Sequence, residues 1–289
     1  MRSAPAIGDT WWARPGLDVR NGRLRIAGRD AGSIARDHGT PTYVYDLPHI
    51  EAQAVGLRAA LEHTGLRGLV RLALKAQRDP HVLAALRERC PWVGMDVSSP
   101  GEVEWALAHG WTPDEISYTG TNLSERDLDA IVGSGVHLNV DLLSQLERVG
   151  RRAPGSTVGV RVNPRIGASH DMAGATKYAG ARPTKFGLFA EQLDEALGIA
   201  ARHDLRIDTV HVHVGDGYLT PGLDAFDETL RRVGAMTAAL LDAGCPIEEV
   251  NTGGGLGVPI ETGDEPLDLE WWAAIAAAHL GPLDVVVST

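Results

Sequence analysis

From residue 67 onward the sequence alternates between short β-rich apolar runs and longer amphipathic stretches. The runs are LVRLALK, WVGMDV, EISYT, VHLNV, TVGVRV, IDTVHVH, EEVNT and LDVVVS, ending near Lys75, Asp96, Thr119, Val140, Val162, His213, Thr252 and Ser288. Between them lie helical patterns such as SPGEVEWALAHG and AEQLDEALGIAARHD. Several open on Ser, Asp or Pro and close near Gly, as helix caps require. Alternation this strict implies parallel strands joined by crossover helices. Eight strands, the first five spaced by roughly 22 residues, predict a (β/α)8 TIM-type barrel rather than an open doubly wound sheet. An open dinucleotide-binding sheet would need a glycine fingerprint after its first strand, and ALKAQRDP contains no glycine. There is no Walker A lysine motif either.

The first 38 residues stand outside this rhythm. GLDVRNGRLRIAG reads as two short strands joined by an Asn-Gly hairpin turn. DAGSIARDHGTPTYVYD reads as a helix, a Gly-Thr-Pro turn and a short strand. The expected division is an N-terminal β-hairpin segment over 1–38 and a barrel over 39–289. GATKYAGARPTKFG reads as a loop, too mixed to be a low-complexity linker.

Charge narrows the partners. A net charge of -11 with no basic run argues against nucleic acid or an anionic membrane surface. No apolar segment approaches the ~20 residues of a membrane span. The opening MRSAPAIGDTWWARPG has no apolar core of a signal peptide. Cys90 and Cys245 lie far apart in no metal-like spacing, which predicts reduced thiols near helix ends and a cytoplasmic protein.

In a barrel, chemistry gathers at the C-terminal ends of the strands. Those ends carry Lys75, Asp96 with Ser98, Thr119-Gly120, Asn139 with Asp141, Arg161 with Asn163, and His211 with His213, before Asn251 leads into TGGGLG. A lone lysine at a strand end ordinarily snorkels into water. Lysine, aspartate, arginine and two histidines converging on one rim make a site, because each is costly to bury unpaired. Gly253, Gly254, Gly255 and Gly257 follow the seventh strand directly. They admit two readings, a tight turn needing positive φ or a backbone cradle for phosphate. Three consecutive glycines exceed what a turn requires, and barrels often hold phosphate after their seventh or eighth strand. A lysine able to form a Schiff base, a phosphate cradle and a histidine for a ring point to pyridoxal 5′-phosphate. No metal is expected, since no carboxylate or cysteine stands at ligand spacing beside His211 and His213.

The motifs GTPTYVYD, LALKAQRDPHVL, DVSSPGEVEWAL, VGVRVNPRIGASH, KFGL, HVHVGDGYL and VNTGGGLGV occur in that order between about Asn21 and Thr289. In this the chain resembles the fold-type III pyridoxal-phosphate decarboxylases, the diaminopimelate and ornithine decarboxylase family, on the diaminopimelate side. The resemblance implies an alanine racemase-like barrel in which Lys75 carries the cofactor aldehyde and His213 stacks on the ring. Gly253, Gly254 and Gly255 would hold the phosphate through backbone N–H groups. Asp96, Glu102 and Arg161 match positions lining the cofactor pocket, with His211 as support or core. Two departures stand out. Asp216, which the resemblance places in the cofactor pocket, replaces a serine usual near the phosphate, and TGTNLSERDL lacks a lysine common in the family. The sequence ends at DVVVST, where a Glu-Pro-Gly-Arg motif would begin. The expectation is therefore a barrel without its C-terminal β domain, incomplete for activity, with GLDVRNGRLRIAG as the N-terminal contribution to that domain. The implied activity is decarboxylation of meso-diaminopimelate to lysine, or of a related basic or dicarboxylic amino acid, by a homodimer in the complete protein. An amino-acid racemase of the same barrel family and a non-catalytic cofactor-binding paralogue are the alternatives.

Overall fold

The computed structural model describes residues 12–166, 168–169 and 184–289. Most of the expected GATKYAGARPTKFG loop and the first eleven residues lie outside the described residues.

Alternation becomes a closed sheet. Strands β4 (Arg67–Leu69) and β5 (Arg71–Ala73) are two halves of one strand, interrupted at Val70. They are followed by β6 (Gly94–Val97), β7 (Ile116–Thr119), β8 (His137–Val140) and β9 (Thr157–Arg161), then β11 (Arg206–His211), β13 (Glu249–Asn251) and β14 (Val286–Ser288). The sheet order is β4-β14-β13-β11-β9-β8-β7-β6-β5, with every pairing parallel. Because β4 and β5 belong to one strand, its first half bonds β14 and its second half β6. The seam is tight: Thr289 N–H donates to Leu69 O at 3.1 Å, Arg71 N–H to Thr289 O at 2.9 Å, and Gly94 N–H to Val70 O at 3.0 Å. The expected eight-stranded TIM-type barrel is formed.

Helices α3 (Pro80–Arg89), α4 (Pro100–Ala108), α5 (Glu125–Ser134), α6 (Leu143–Arg152), α7 (Leu193–Arg202), α8 (Leu223–Asp242) and α9 (Leu269–Leu280) make the crossovers. Their starts are written in the sequence. Asp79 accepts from the N–H groups of His81 and Val82, Ser99 from Glu102, Ser124 from Asp127 and Asp268 from Trp271. Helix α2 (Leu47–His63), capped by Asp46, precedes the first strand and packs on α3 and α9.

The strands have two unlike faces, as a period of two demands. Leu72, Met95, Tyr118, Val140, Val160, Val210 and Val250 alternate with the residues that face the lumen, and all but Leu72 are buried. The lumen is unusually polar. Arg71 spans it to Glu249, His137 Nε2 lies 2.8 Å from Asp208 Oδ1, and Asn139 Nδ2 donates to Ser117 Oγ at 2.9 Å. A Cβ on Gly159 would collide with the Asn139 amide, so glycine there makes room for that side chain.

At the N-terminus, β1 (Leu17–Arg20) and β2 (Arg23–Ile26) pair antiparallel with Arg20 opposite Arg23. Asn21 and Gly22 make the turn at φ 53 and 74. A third strand, β3 (Arg29–Asp30), joins β2 and leads into α1 (Ala31–His38), so the expected hairpin is a three-stranded sheet. The short strand expected in TYVY is not formed. It pairs with no sheet among the described residues, and Tyr43 is 90% exposed. A further short parallel pair, β10 (Ala168–Ser169) with β12 (Gly215–Asp216), lies beside the barrel's C-terminal end. Among the described residues no helix is long and apolar enough to cross a membrane.

Candidate active site

A cavity of about 570 Å³ opens at the C-terminal end of the barrel. Lys75, Asp96, Arg161, His213, Asp216 and the Gly253–Gly255 loop all line it. Lys75 does not sit on the strand itself. The strand ends at Ala73, and Lys75 lies in the 3-10 turn Leu74–Ala76 just beyond it. That places its side chain, which is exposed, at the rim rather than in the wall.

Asp96 lies on β6, in register with Ala73. Burial pushes its carboxyl up to about 6, with Lys75, Arg71 and Arg161 pulling it back. Arg161 is buried at the end of β9, its guanidinium 4.6 Å from the Phe186 ring centroid. His213 follows β11. Burial first, then the charges of Arg161 and Lys75, hold it down to about 4, with Asp216 acting the other way. It is therefore a neutral imidazole near pH 7. His211 is buried deeper, its pKa is also lowered by burial, and its Nδ1 has no hydrogen-bond partner among the described residues. Asp216 is exposed, held by the β10–β12 pairing.

The glycine loop divides its labour. Gly253 has φ 68, and its N–H donates to Asn251 Oδ1 at 2.8 Å. Gly255 has φ 94 and packs on the Gly215 carbonyl where a Cβ would not fit. Those two glycines are required by the fold. A Cβ on Gly254, by contrast, would meet no protein atom within 4 Å, although the residue lines the cavity. The N–H groups of Gly254 and Gly255 donate no hydrogen bond among the described residues. Such a pair of free donors can receive an anion.

Glu102 does not line the cavity with Asp96 and Arg161, contrary to expectation. It lies on α4, behind the rim, where Oε2 accepts from the Ser98 N–H at 2.8 Å and the Ser98 hydroxyl at 3.2 Å. It is a loop anchor, the carboxylate half of a helix-start motif. Arg71 and Phe186 line the cavity without having been singled out from the sequence. The signal for Arg71 was its alternation with the apolar residues of its strand, and Phe186 lies in the KFGL motif. Among the described residues no cluster of His, Cys, Asp and Glu could hold a metal.

An amine at the rim of the first strand, a neutral imidazole at the sixth and an anion cradle after the seventh define a barrel suited to a phosphorylated aldehyde. The family model "Pyridoxal-dependent decarboxylase, pyridoxal binding domain" matches residues 47–282, and the chain belongs to that family. Diaminopimelate decarboxylase of Methanothermobacter thermautotrophicus is 35% identical over 263 residues, covering 90% of this chain and 60% of that protein. The Escherichia coli K12 enzyme of the same name is 31% identical over 259 residues, covering 86% and 57%. Among solved structures, diaminopimelate decarboxylase of Helicobacter pylori complexed with L-lysine superimposes with a TM-score of 0.79 at 26% identity, over 89% of this chain and 64% of that one. The M. jannaschii enzyme in co-complex with L-lysine gives 0.80 at 25%, over 94% and 65%. The chain spans about three-fifths of the length of these curated relatives. The site fits the family's pyridoxal cofactor: the open face of Gly254 and the two unengaged N–H groups leave room and donors for a phosphate.

Proposed function

We propose that this chain is the cofactor-binding barrel of an amino-acid decarboxylase that acts on meso-diaminopimelate with pyridoxal 5′-phosphate. The observation that carries the reading is the placement of Lys75 and His213 on one cavity with the Gly254–Gly255 cradle. The substrate rests on the relatives that bear that activity in their names.

In this reading Lys75 is the amine that holds the cofactor aldehyde, and His213, kept neutral, lies against its ring. Gly254 and Gly255 donate their N–H groups to the phosphate, while Gly253 shapes the turn. Arg161 and Asp96 set the charge around Lys75. Asp216 stands at the phosphate end of the pocket. When bound, pyridoxal phosphate supplies an electron sink for the electron pair left as CO2 departs. Residues 39–289 act as the barrel and 1–38 as a separate β unit, in a cytoplasmic homodimer.

The test is CO2 release from meso-diaminopimelate by the full protein, run beside a panel of amino acids and beside α-proton exchange. Stoichiometric lysine and CO2 are expected. Exchange without CO2 would make the protein a racemase, and cofactor binding with neither would make it a non-catalytic paralogue.

A further inference from the structure

The glycine loop is held in part by a side chain from the next strand. Gly253 is bonded at both of its backbone groups. Its N–H donates to Asn251 Oδ1 at 2.8 Å, and its carbonyl oxygen accepts from Thr289 Oγ1 at 2.9 Å. Thr252 Oγ1 lies 3.5 Å from the same oxygen, but it also lies 3.0 Å from Ser288 O. A hydroxyl has one hydrogen to give, and Thr252 gives it to the nearer acceptor, so Thr289 is the donor to Gly253.

Thr289 is well placed to hold something still. It follows β14, and its backbone is tied to the first barrel strand. Its N–H donates to Leu69 O at 3.1 Å, and its carbonyl accepts from the Arg71 N–H at 2.9 Å. Thr289, Asn251 and the three glycines all line the cavity.

The bond at Gly253 O acts on the following residue. A peptide unit is planar, and its trans C=O and N–H point in opposite directions. The unit whose oxygen Thr289 holds is the one whose N–H belongs to Gly254. That N–H donates no hydrogen bond among the described residues, and Gly254 has an open face. Gly253, at φ 68, has no side chain to restrict its ψ, so the plane needs a hold from outside. Accepting a hydrogen bond at oxygen also polarises the amide and strengthens its N–H as a donor.

We propose that Thr289 is a positioning residue that aims the Gly254 N–H into the cavity and strengthens it as a donor to a phosphate group. The proposal rests on the cradle role given above to Gly254, and its test separates the two. It predicts that Thr289 matters to the phosphate of a ligand and not to its ring.

The experiment uses the full protein with three probes: inorganic phosphate, pyridoxal phosphate and pyridoxal. In glycine-labelled parent protein, nitrogen NMR should show the Gly254 amide moving when inorganic phosphate is added, with Gly254→Ala assigning the resonance. An amide that does not move overturns the cradle and the proposal together. Thr289→Val removes the hydroxyl at nearly constant shape. By equilibrium dialysis it should weaken both phosphate probes by roughly three- to tenfold and pyridoxal by less than about twofold. Thr289→Ser, which keeps the hydroxyl, should bind all three like the parent. If the amide moves but Thr289→Val binds phosphate normally, or Thr289→Ser loses as much, the proposal falls and the cradle stands. An equal loss for pyridoxal also overturns it, since that would be a structural effect on the whole pocket. Should Thr289→Val fail to fold, Thr289→Ala decides by the same comparison.

Discussion

A Cβ atom on Gly253 would lie 2.5 Å from the Val212 carbonyl oxygen, so the cradle loop and the end of the sixth barrel strand touch backbone to backbone. Gly255 is blocked in the same way by Gly215, and both have positive φ. Only Gly254 is open. Gly253→Ala and Gly255→Ala should each cost roughly 2 kcal/mol or more of folding stability, from strain and backbone collision. Gly254→Ala should leave stability within about 0.5 kcal/mol and weaken pyridoxal phosphate binding instead. Urea unfolding and cofactor titration of the three variants separate the effects. Equal destabilisation by all three would mean that the loop has no open face.

Lys75 and Lys185 offer a second test. Lys185 Nζ lies 5.0 Å from the Phe186 ring centroid, and Lys75 lines the cavity. Borohydride reduction of the cofactor-loaded protein should fix the pyridoxyl group on Lys75, as read by peptide mass mapping. Lys75→Ala should abolish turnover. Label on Lys177 or Lys185 would move the amine to another part of the chain.

The barrel was legible because its strands alternate. LVRLALK and GMDV place apolar residues under the helices and Arg71, Lys75 and Asp96 toward the lumen and its rim, so parity alone gathers the charged groups. Glu249 obeys the same parity with Asn251 and Gly253, yet its partnership with Arg71 joins residues 178 apart in sequence, which no local pattern reveals. The three glycines look alike in the sequence, yet the Gly253 N–H donates to Asn251 Oδ1. Which carbonyl each glycine faces depends on the packing of β11 and β12, a tertiary matter. TYVY shows the converse, since β propensity without a paired neighbour makes no strand.

His211 and His213 both line the cavity but differ in burial. His211→Ala should act mainly on stability, because its ring is buried. His213→Ala should weaken cofactor binding and turnover with a smaller loss of stability. Both imidazoles are held neutral by burial, so unfolding takes up protons as the pH falls below about 6.5. Stability from these two groups is present above that pH and is lost as acid approaches about 4, where His213 protonates in the folded state. Comparable loss of cofactor affinity in both variants would remove the ring-stacking assignment.

Asp141 carries the opposite sign. Its carboxyl is fully buried just past β8, and neither oxygen has a hydrogen bond from another residue among the described residues. Burial pushes it up to about 6, against the pull of Arg161, of its own backbone N–H and of Lys185. A raised folded-state pKa means that the folded protein holds a proton which the unfolded chain, with an aspartate value near ~3.9, has already lost. Stability from this group is present below about pH 4 and is lost as the pH rises through about 6. Asp141→Asn removes the charge while keeping the shape. The variant should be more stable than the parent at pH 7 by roughly 1–3 kcal/mol, and the difference should shrink as the pH falls toward ~4. The histidine contribution is common to both proteins and cancels in the comparison. Urea unfolding of the pair across that window measures it. A difference that does not change with pH would mean that Asp141 is already paired in solution, with its charge accommodated.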